Sequence, residues 1–122
     1  MKILIADDSA IARKFLIKSL PQDIDLEVRE CVNGKECVDI YPEFKPDLLF
    51  LDLTMPVMDG IEALEIIRKA DPDAIVYVLT ADIQKTTHKK VIELGAYKFI
   101  KKPPQKETIG DAVRELAEFL SR

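Results

Sequence analysis

The sequence predicts an α/β domain in which helices cover both faces of a parallel β-sheet. Five short apolar segments alternate with five segments whose apolar residues recur at helical spacing, without internal repeats or linkers. Three of the apolar segments, beginning near Ile3, Leu48 and Ile75, are continuous runs of the kind that is buried on both faces of a sheet. With 122 residues, the chain is about one domain in length, and residues 1–122 are predicted to form a single domain.

The elements can be placed along the chain from these runs and from local capping signals. The expected strands cover residues 2–6, 26–32, 48–51, 75–79 and 99–100. Ser9 and Asp59 are predicted N-caps of the first and third helices, and the second and fourth helices are expected over residues 35–44 and 84–94. Gly95 is a natural residue to follow the fourth helix, and the last helix carries apolar residues at helical spacing from Ile109 to Leu120.

Charged residues distinguish the edge strands from the central ones. The second strand contains Glu27 and Arg29 between apolar neighbours, and Lys98 and Lys101 flank the fifth strand. With these two strands at the edges, the predicted fold is flavodoxin-like, with the strand order 2-1-3-4-5. Its switch point lies between the first and third strands, and in open α/β sheets ligands bind at the carboxyl ends of the strands there.

Composition excludes several functional classes. Hydrophobic residues make up 48% of the chain and charged residues 33%, which is typical of a globular protein and not of a disordered one. The net charge of -4 argues against direct binding of nucleic acid. No apolar run approaches the roughly 20 residues that span a membrane, and Asp7 and Asp8 interrupt the N-terminal run too early for a signal peptide. Cys31 and Cys37 are interpreted as buried thiols in a reducing compartment, and the expected location is cytoplasmic.

Polar residues follow four of the predicted strands. Asp7 and Asp8 come after the first strand, Asp52 ends the third, Thr80 follows the fourth and Lys102 follows the fifth. Three carboxylates at one rim repel one another unless a cation compensates them, and their hard oxygen atoms suit Mg²⁺. Lys102 and Thr80 offer a positive charge and a hydroxyl donor to phosphoryl oxygens, and a central carboxylate can form an aspartyl-phosphate.

The same residues belong to motifs of a known family. These motifs are Asp7-Asp8-Ser9, Asp52 with Met55-Pro56 and Asp59-Gly60, Thr80-Ala81, and Lys102-Pro103. In their order and spacing, over essentially the whole chain, the sequence resembles the receiver domain of two-component response regulators, of which the chemotaxis regulators are single-domain examples. Pro104 departs from the aromatic residue that often follows Lys-Pro in this family.

The resemblance implies a role for each site residue. Asp52 would be the phosphoacceptor, and Mg²⁺ would be held by Asp7, Asp8 and Asp52 together with the backbone carbonyl of Thr54. The phosphoryl group would be bound by Thr80, Ala81 and Lys102, and Thr80 and Phe99 would form the switch.

The resemblance also implies partners. The phosphodonor would be a sensor histidine kinase or a His phosphotransfer protein, and an output protein would bind the face formed by the fourth helix, fifth strand and fifth helix. That region is locally basic, which is typical of a solvated surface; a partner for it would have an acidic or mixed surface. Its lysines are Lys85, Lys89, Lys90, Lys98, Lys101, Lys102 and Lys106. Neither nucleic acid nor a membrane is expected as a direct partner, and the chain is either a stand-alone receiver or part of a longer protein.

Two other functions fit parts of the pattern. The chain could be a Mg²⁺-dependent phosphatase with an Asp nucleophile, but such enzymes usually carry a second Asp two residues later, where this chain has Thr54. It could also be a docking module that works without phosphorylation, which the complete acidic site disfavours. A Gly-rich phosphate loop is absent, which argues against an NTPase. His88 is interpreted as an exposed helix residue, not a phosphate carrier.

Overall fold

A computed structural model describes residues 1–122, and it contains one five-stranded parallel sheet with five helices. The elements are β1 (Lys2–Ala6), α1 (Ala10–Ser19), β2 (Glu27–Cys31), α2 (Gly34–Phe44), β3 (Leu48–Asp52), α3 (Gly60–Ala70), β4 (Val76–Thr80), α4 (Lys85–Glu93), β5 (Lys98–Lys101) and α5 (Lys106–Leu120). The strand order is β2-β1-β3-β4-β5, so the predicted flavodoxin-like order and both edge strands are confirmed.

The core consists of two apolar layers, one on each face of the sheet. Successive side chains of a strand point to opposite faces, so Leu4 and Ala6 lie in the layer under α2, α3 and α4. Ile3 and Ile5 lie in the other layer, under α1 and α5. Since β1, β3 and β4 have covered faces on both sides, continuous apolar runs were the correct signal for the central strands.

The predicted helix caps are present. Ser9 and Asp59 each accept a hydrogen bond from the backbone N–H three residues ahead, at 3.1 Å and 2.9 Å. Asn33 caps α2 in the same way. Gly95 has a φ of +100°, a conformation that other residues rarely adopt, so it ends α4 as expected.

Strand ends differ from the prediction by at most one residue. β4 runs to Thr80 and β5 includes both flanking lysines, because Tyr77 pairs with Lys98 and Thr80 pairs with Lys101. The strands therefore end where backbone pairing ends, and not where the apolar run ends. No helix in the structure has the length and apolar character needed to cross a membrane.

Candidate functional site

The carboxyl ends of β1 and β3 carry an acidic cluster. The two strands are neighbours with Ala6 opposite Leu51, which places Asp7 and Asp8 beside Asp52. Carboxylate oxygen atoms of these three residues all lie within 4.8 Å of one another. Asp7 and Asp52 are buried, with exposed fractions of 2% and 6%, whereas Asp8 is exposed. The structure therefore brings together the three carboxylates that the sequence assigned to one rim.

Lys102 is the cation of the cluster. Its ammonium nitrogen Nζ lies 2.6 Å from Asp7 Oδ2 and 3.4 Å from Asp52 Oδ1. The position of Lys102 is set by β5, since its backbone N–H donates to the Thr80 carbonyl at 2.8 Å. One ammonium faces three carboxylates, so the cluster has an excess of negative charge when all are ionised.

The ionisation of the site reflects its burial. Burial raises the pKa of Asp52, and the charge of Asp7 raises it further, although Lys102 and a backbone hydrogen bond from Thr54 act in the opposite direction. Burial alone would lower the pKa of Lys102, but its hydrogen bond to Asp7 and the charges of both carboxylates outweigh burial and raise it. Lys102 is therefore firmly protonated, while Asp52 pays a free-energy cost for its charge.

The donor set fits a magnesium ion. Two oxygen atoms that bind one Mg²⁺ at about 2.1 Å each are at most about 4.2 Å apart. The carboxylate oxygens of Asp7, Asp8 and Asp52 lie within 4.8 Å of one another, so a small closure would bring them to this spacing. Hard oxygen ligands and uncompensated negative charge are what Mg²⁺ requires, and Thr54 lies two residues after Asp52, in the loop that follows β3.

Thr80 and Ala81 line the neighbouring strand end. Asp52 is opposite Leu79 in the sheet, so Thr80 lies one residue further toward the rim. The Thr80 side chain is buried, and its Oγ1 accepts a hydrogen bond from the backbone N–H of Asp82 at 3.1 Å. Ala81 is exposed and adds no bulk beyond its methyl group. These two residues and Lys102 therefore border the same side of the acidic cluster.

Phe99, the expected switch residue, lies in the edge strand β5. It lies opposite Val78 in β5, is half-buried, and packs against the core layer under α4. Its ring is stacked on the ring of His88, with centroids 4.6 Å apart and planes within 8° of parallel. His88 is exposed, as predicted, but it has an aromatic partner that lies on another element and is invisible in the local sequence.

Gly60 shapes the site through its backbone, a role that its motif in the sequence did not predict. Its backbone N–H donates to the Leu53 carbonyl at 2.9 Å, which brings the start of α3 against the end of β3. A Cβ atom at Gly60 would overlap the Asp52 carbonyl oxygen and the Leu53 backbone. The only sequence signal was a glycine directly after the Asp59 cap.

Arg13 is a second residue at the site whose role the sequence did not predict. Its Nη1 donates to the Asp7 backbone carbonyl at 2.8 Å, and its Nε pairs with Glu30 Oε1 at 2.9 Å. The side chain thereby ties α1 and β2 to the loop that carries the acidic residues. Its position four residues after the Ser9 cap is a weak signal, because arginine is common on exposed helix faces.

An apolar cavity of about 490 Å³ adjoins the cluster between α1 and the loop after β5. Its walls include Ile11 and Phe15 of α1, and Pro103 and Pro104 of the loop. Lys102 also lines this cavity, and the peptide bond between Lys102 and Pro103 is cis. Pro104 stands where the family that this sequence resembles often has an aromatic residue, and it lines the cavity beside the site.

The chain is similar to known proteins over nearly its whole length. Residues 3–114 match the family described as response regulator receiver domain. The chain is 42% identical to the chemotaxis protein CheY of Listeria monocytogenes over 119 residues, which is 97% of this chain and 99% of that protein. It is 36% identical to CheY of Halobacterium salinarum over 115 residues, covering 94% and 95% of the two chains.

Solved structures show the same fold. A crystal structure described as the CheX–CheY–BeF3–Mg+2 complex from Borrelia burgdorferi matches with a TM-score of 0.86 and 30% sequence identity. The match covers 98% of this chain and 89% of that one.

Proposed function

Because this chain belongs to the response regulator receiver domain family, we propose that Asp52 is the residue that accepts its phosphoryl group. The chain is a CheY-like phosphoacceptor signalling domain. The observation that supports Asp52 is its place at the centre of the site: it is a buried carboxylate at the end of a central strand, beside Asp7 and 3.4 Å from the Lys102 ammonium.

The proposed reaction is a displacement at phosphorus. A carboxylate oxygen of Asp52 forms a bond to the phosphorus atom, while the bond from phosphorus to the donor breaks and the donor leaves with that electron pair. The Lys102 ammonium neutralises charge on the phosphoryl oxygens, and the Thr80 hydroxyl and the Ala81 backbone N–H donate hydrogen bonds to them.

Receiver domains generally use Mg²⁺ at an acidic pocket, and in this chain we assign its ligands to Asp7, Asp8, Asp52 and the Thr54 carbonyl. When bound, the ion would supply positive charge to the phosphoryl oxygens. These carboxylates would then be occupied as ligands, which leaves none of them free as a general acid for turnover of external esters. The domain would therefore catalyse only its own phosphorylation and dephosphorylation.

Receiver domains interact with histidine kinases and with downstream effectors. For this chain, we assign the donor role to a sensor histidine kinase or a His phosphotransfer protein. An output protein would bind the surface of α4, β5 and α5, called here the α4–β5–α5 face. Exposed Lys85, Lys89 and Lys101 on this face favour an acidic or mixed partner surface. Cys31 and Cys37 are free buried thiols, which is compatible with a reducing cytoplasm.

Phosphorylation would reach this face through Thr80 and Phe99. A phosphoryl group adds negative charge and acceptor oxygens, and these would draw the Thr80 hydroxyl toward Asp52. The space that Thr80 leaves beside β4 would favour an inward rotation of the Phe99 ring. A partner that binds one ring position better than the other would then read the phosphorylation state.

The assignment of Asp52 is tested with acetyl phosphate as a small phosphodonor in the presence of Mg²⁺. Intact-protein mass spectrometry should detect one added phosphoryl group that is stable in acid and removed by hydroxylamine. Asp52→Asn should abolish the addition, whereas the control Asp59→Asn should retain it, because Asn is an equally good helix cap. Undiminished addition in Asp52→Asn would contradict the assignment.

A further inference from the structure

The stack of His88 on Phe99 connects α4 to the edge strand β5. We propose that His88 is a positioning residue that holds Phe99 in its present place and so opposes its inward rotation on phosphorylation. This inference rests on the proposed role of Thr80 and Phe99 as the switch. His88 lies outside the phosphoryl site, and in this proposal it affects the equilibrium between the two positions of the Phe99 ring.

The stack contributes to an otherwise weak attachment of α4. Val91 is the only buried residue of this helix, whereas α2, α3 and α5 bury four residues each. Gln84, at the N-cap, makes no side-chain hydrogen bond to the first turn. Because α4 has so little buried area, one aromatic contact to β5 is a large share of what determines its position.

The helical turn that carries His88 is also tied to Thr80. Thr87 Oγ1 donates to Asp82 Oδ2 at 2.7 Å, and the backbone N–H of Asp82 donates to Thr80 Oγ1 at 3.1 Å. The Asp82 carboxylate additionally accepts from the Gln84 N–H at 2.9 Å. A displacement of Thr80 would therefore disturb the loop and the first turn of α4, next to His88.

The direction of the effect follows from the geometry. The two rings are nearly parallel, and Phe99 also packs against the core layer under α4, so this residue contacts both His88 and the protein interior. Inward rotation would take the ring out of this stack, so the contact stabilises only the present ring position. A contact made in one state alone biases the equilibrium toward that state.

The test compares His88→Ala and His88→Phe with the control Thr86→Ala, which changes an exposed side chain of the same helix. The first readout is the NMR signal of the Phe99 ring in the unmodified protein. The second is the affinity for beryllofluoride in Mg²⁺, a mimic of the phosphoryl group whose binding would be coupled to the inward ring position.

We expect His88→Ala to shift the Phe99 ring signals and to tighten beryllofluoride binding by roughly three- to tenfold, the ratio that an aromatic pair supports. His88→Phe should restore wild-type affinity, because a phenyl ring can form the same stack. Thr86→Ala should change neither readout.

Two results would overturn the proposal. Unchanged Phe99 signals in His88→Ala would mean that the stack does not determine the ring position. Changed signals with wild-type beryllofluoride affinity would mean that the stack does not oppose activation. Failure of the proposed function would give a different result from failure of this proposal. In that case the wild-type protein itself would not be phosphorylated at Asp52, or its Phe99 signals would not respond to beryllofluoride.

Discussion

Lys102 Nζ and Asp7 Oδ2 are 2.6 Å apart, although 95 positions separate the two residues in the chain. The pair spans the rim of the sheet, from the end of β1 to the residue after β5. The Asp7 side chain is 2% exposed, so its charge depends on this ammonium for compensation. Removal of one partner of a buried ion pair leaves the other charged and poorly solvated.

Lys102→Ala should therefore lower the stability of the metal-free protein. We expect a loss of about 2–4 kcal/mol in the free energy of unfolding, measured by urea denaturation in a chelator. Mg²⁺ should narrow the difference from wild type, because the ion would replace the missing positive charge. The control Lys101→Ala removes an exposed neighbour and should have little effect. Equal losses with and without Mg²⁺ would contradict this account.

Asp8→Asn should weaken Mg²⁺ binding without lowering the stability of the metal-free protein. The substitution removes a ligand and also one of three mutually repelling charges. Wild-type protein should gain about 2.7 kcal/mol of stability at 100 times its dissociation constant for Mg²⁺. The measurement is the thermal midpoint against Mg²⁺ concentration, with Asp73→Asn as a control at the opposite rim. A thermal midpoint of the wild-type protein that does not change in millimolar Mg²⁺ would argue against the proposed Mg²⁺ site.

The raised pKa of Asp52 predicts that the stability of the metal-free protein depends on pH. Burial, followed by the charge of Asp7, raises this pKa above its ordinary value of 3.8, so the folded state retains the proton longer than the unfolded state. The contribution of protonated Asp52 to the free energy of unfolding is fully present below the ordinary pKa, which applies to the unfolded state. This contribution is lost as the pH rises through the raised pKa of the folded state. In metal-free protein, Asp52→Asn should therefore gain stability relative to wild type as pH rises from acid to neutral. Urea denaturation across this range measures it, and parallel pH profiles would refute the prediction.

Thr80→Ala should permit phosphorylation of Asp52 but prevent phosphorylation from changing the environment of Phe99. In wild type, beryllofluoride and Mg²⁺ should shift NMR signals from Asp52 through Thr80 to Phe99 and α4. The alanine variant lacks the hydroxyl that would move toward the phosphoryl group, so the shifts should stop before Phe99. Thr86→Ala, on exposed α4, serves as the control. A full wild-type pattern at Phe99 in Thr80→Ala would show that another route carries the signal.

Gly60→Ala and Gly110→Ala should change stability in opposite directions. At Gly60, a Cβ would overlap backbone atoms of Asp52 and Leu53, and the required shift should cost about 1–3 kcal/mol. At Gly110, inside α5, a Cβ would meet only the Ser19 carbonyl oxygen at an ordinary 3.5 Å, and alanine should gain about 0.5–1 kcal/mol from its helix preference. Urea denaturation of both variants measures the contrast. Equal effects would mean that the approach of α3 to β3 is not tight.

The sequence by itself determined the strand order, the central strands and the convergence of Asp7, Asp8 and Asp52. These features depend on local signals: a continuous apolar run marks a strand with two covered faces, and a charged alternation marks an edge. The caps at Ser9 and Asp59 are equally local, because each side chain bonds a backbone group three residues away. Once the order is known, the rule that parallel strands end at one rim places the acidic residues together.

Only the tertiary structure decided the contacts between distant segments. The Arg13 bond to the Asp7 carbonyl, the approach of Gly60 to Asp52 and the stack of His88 on Phe99 each join different elements at a specific distance. Such contacts depend on how helices are seated on the sheet, which is set by the packing of the whole core. Periodicity predicts which face of an element is buried, but it carries no information about which side chain from another element lies against it.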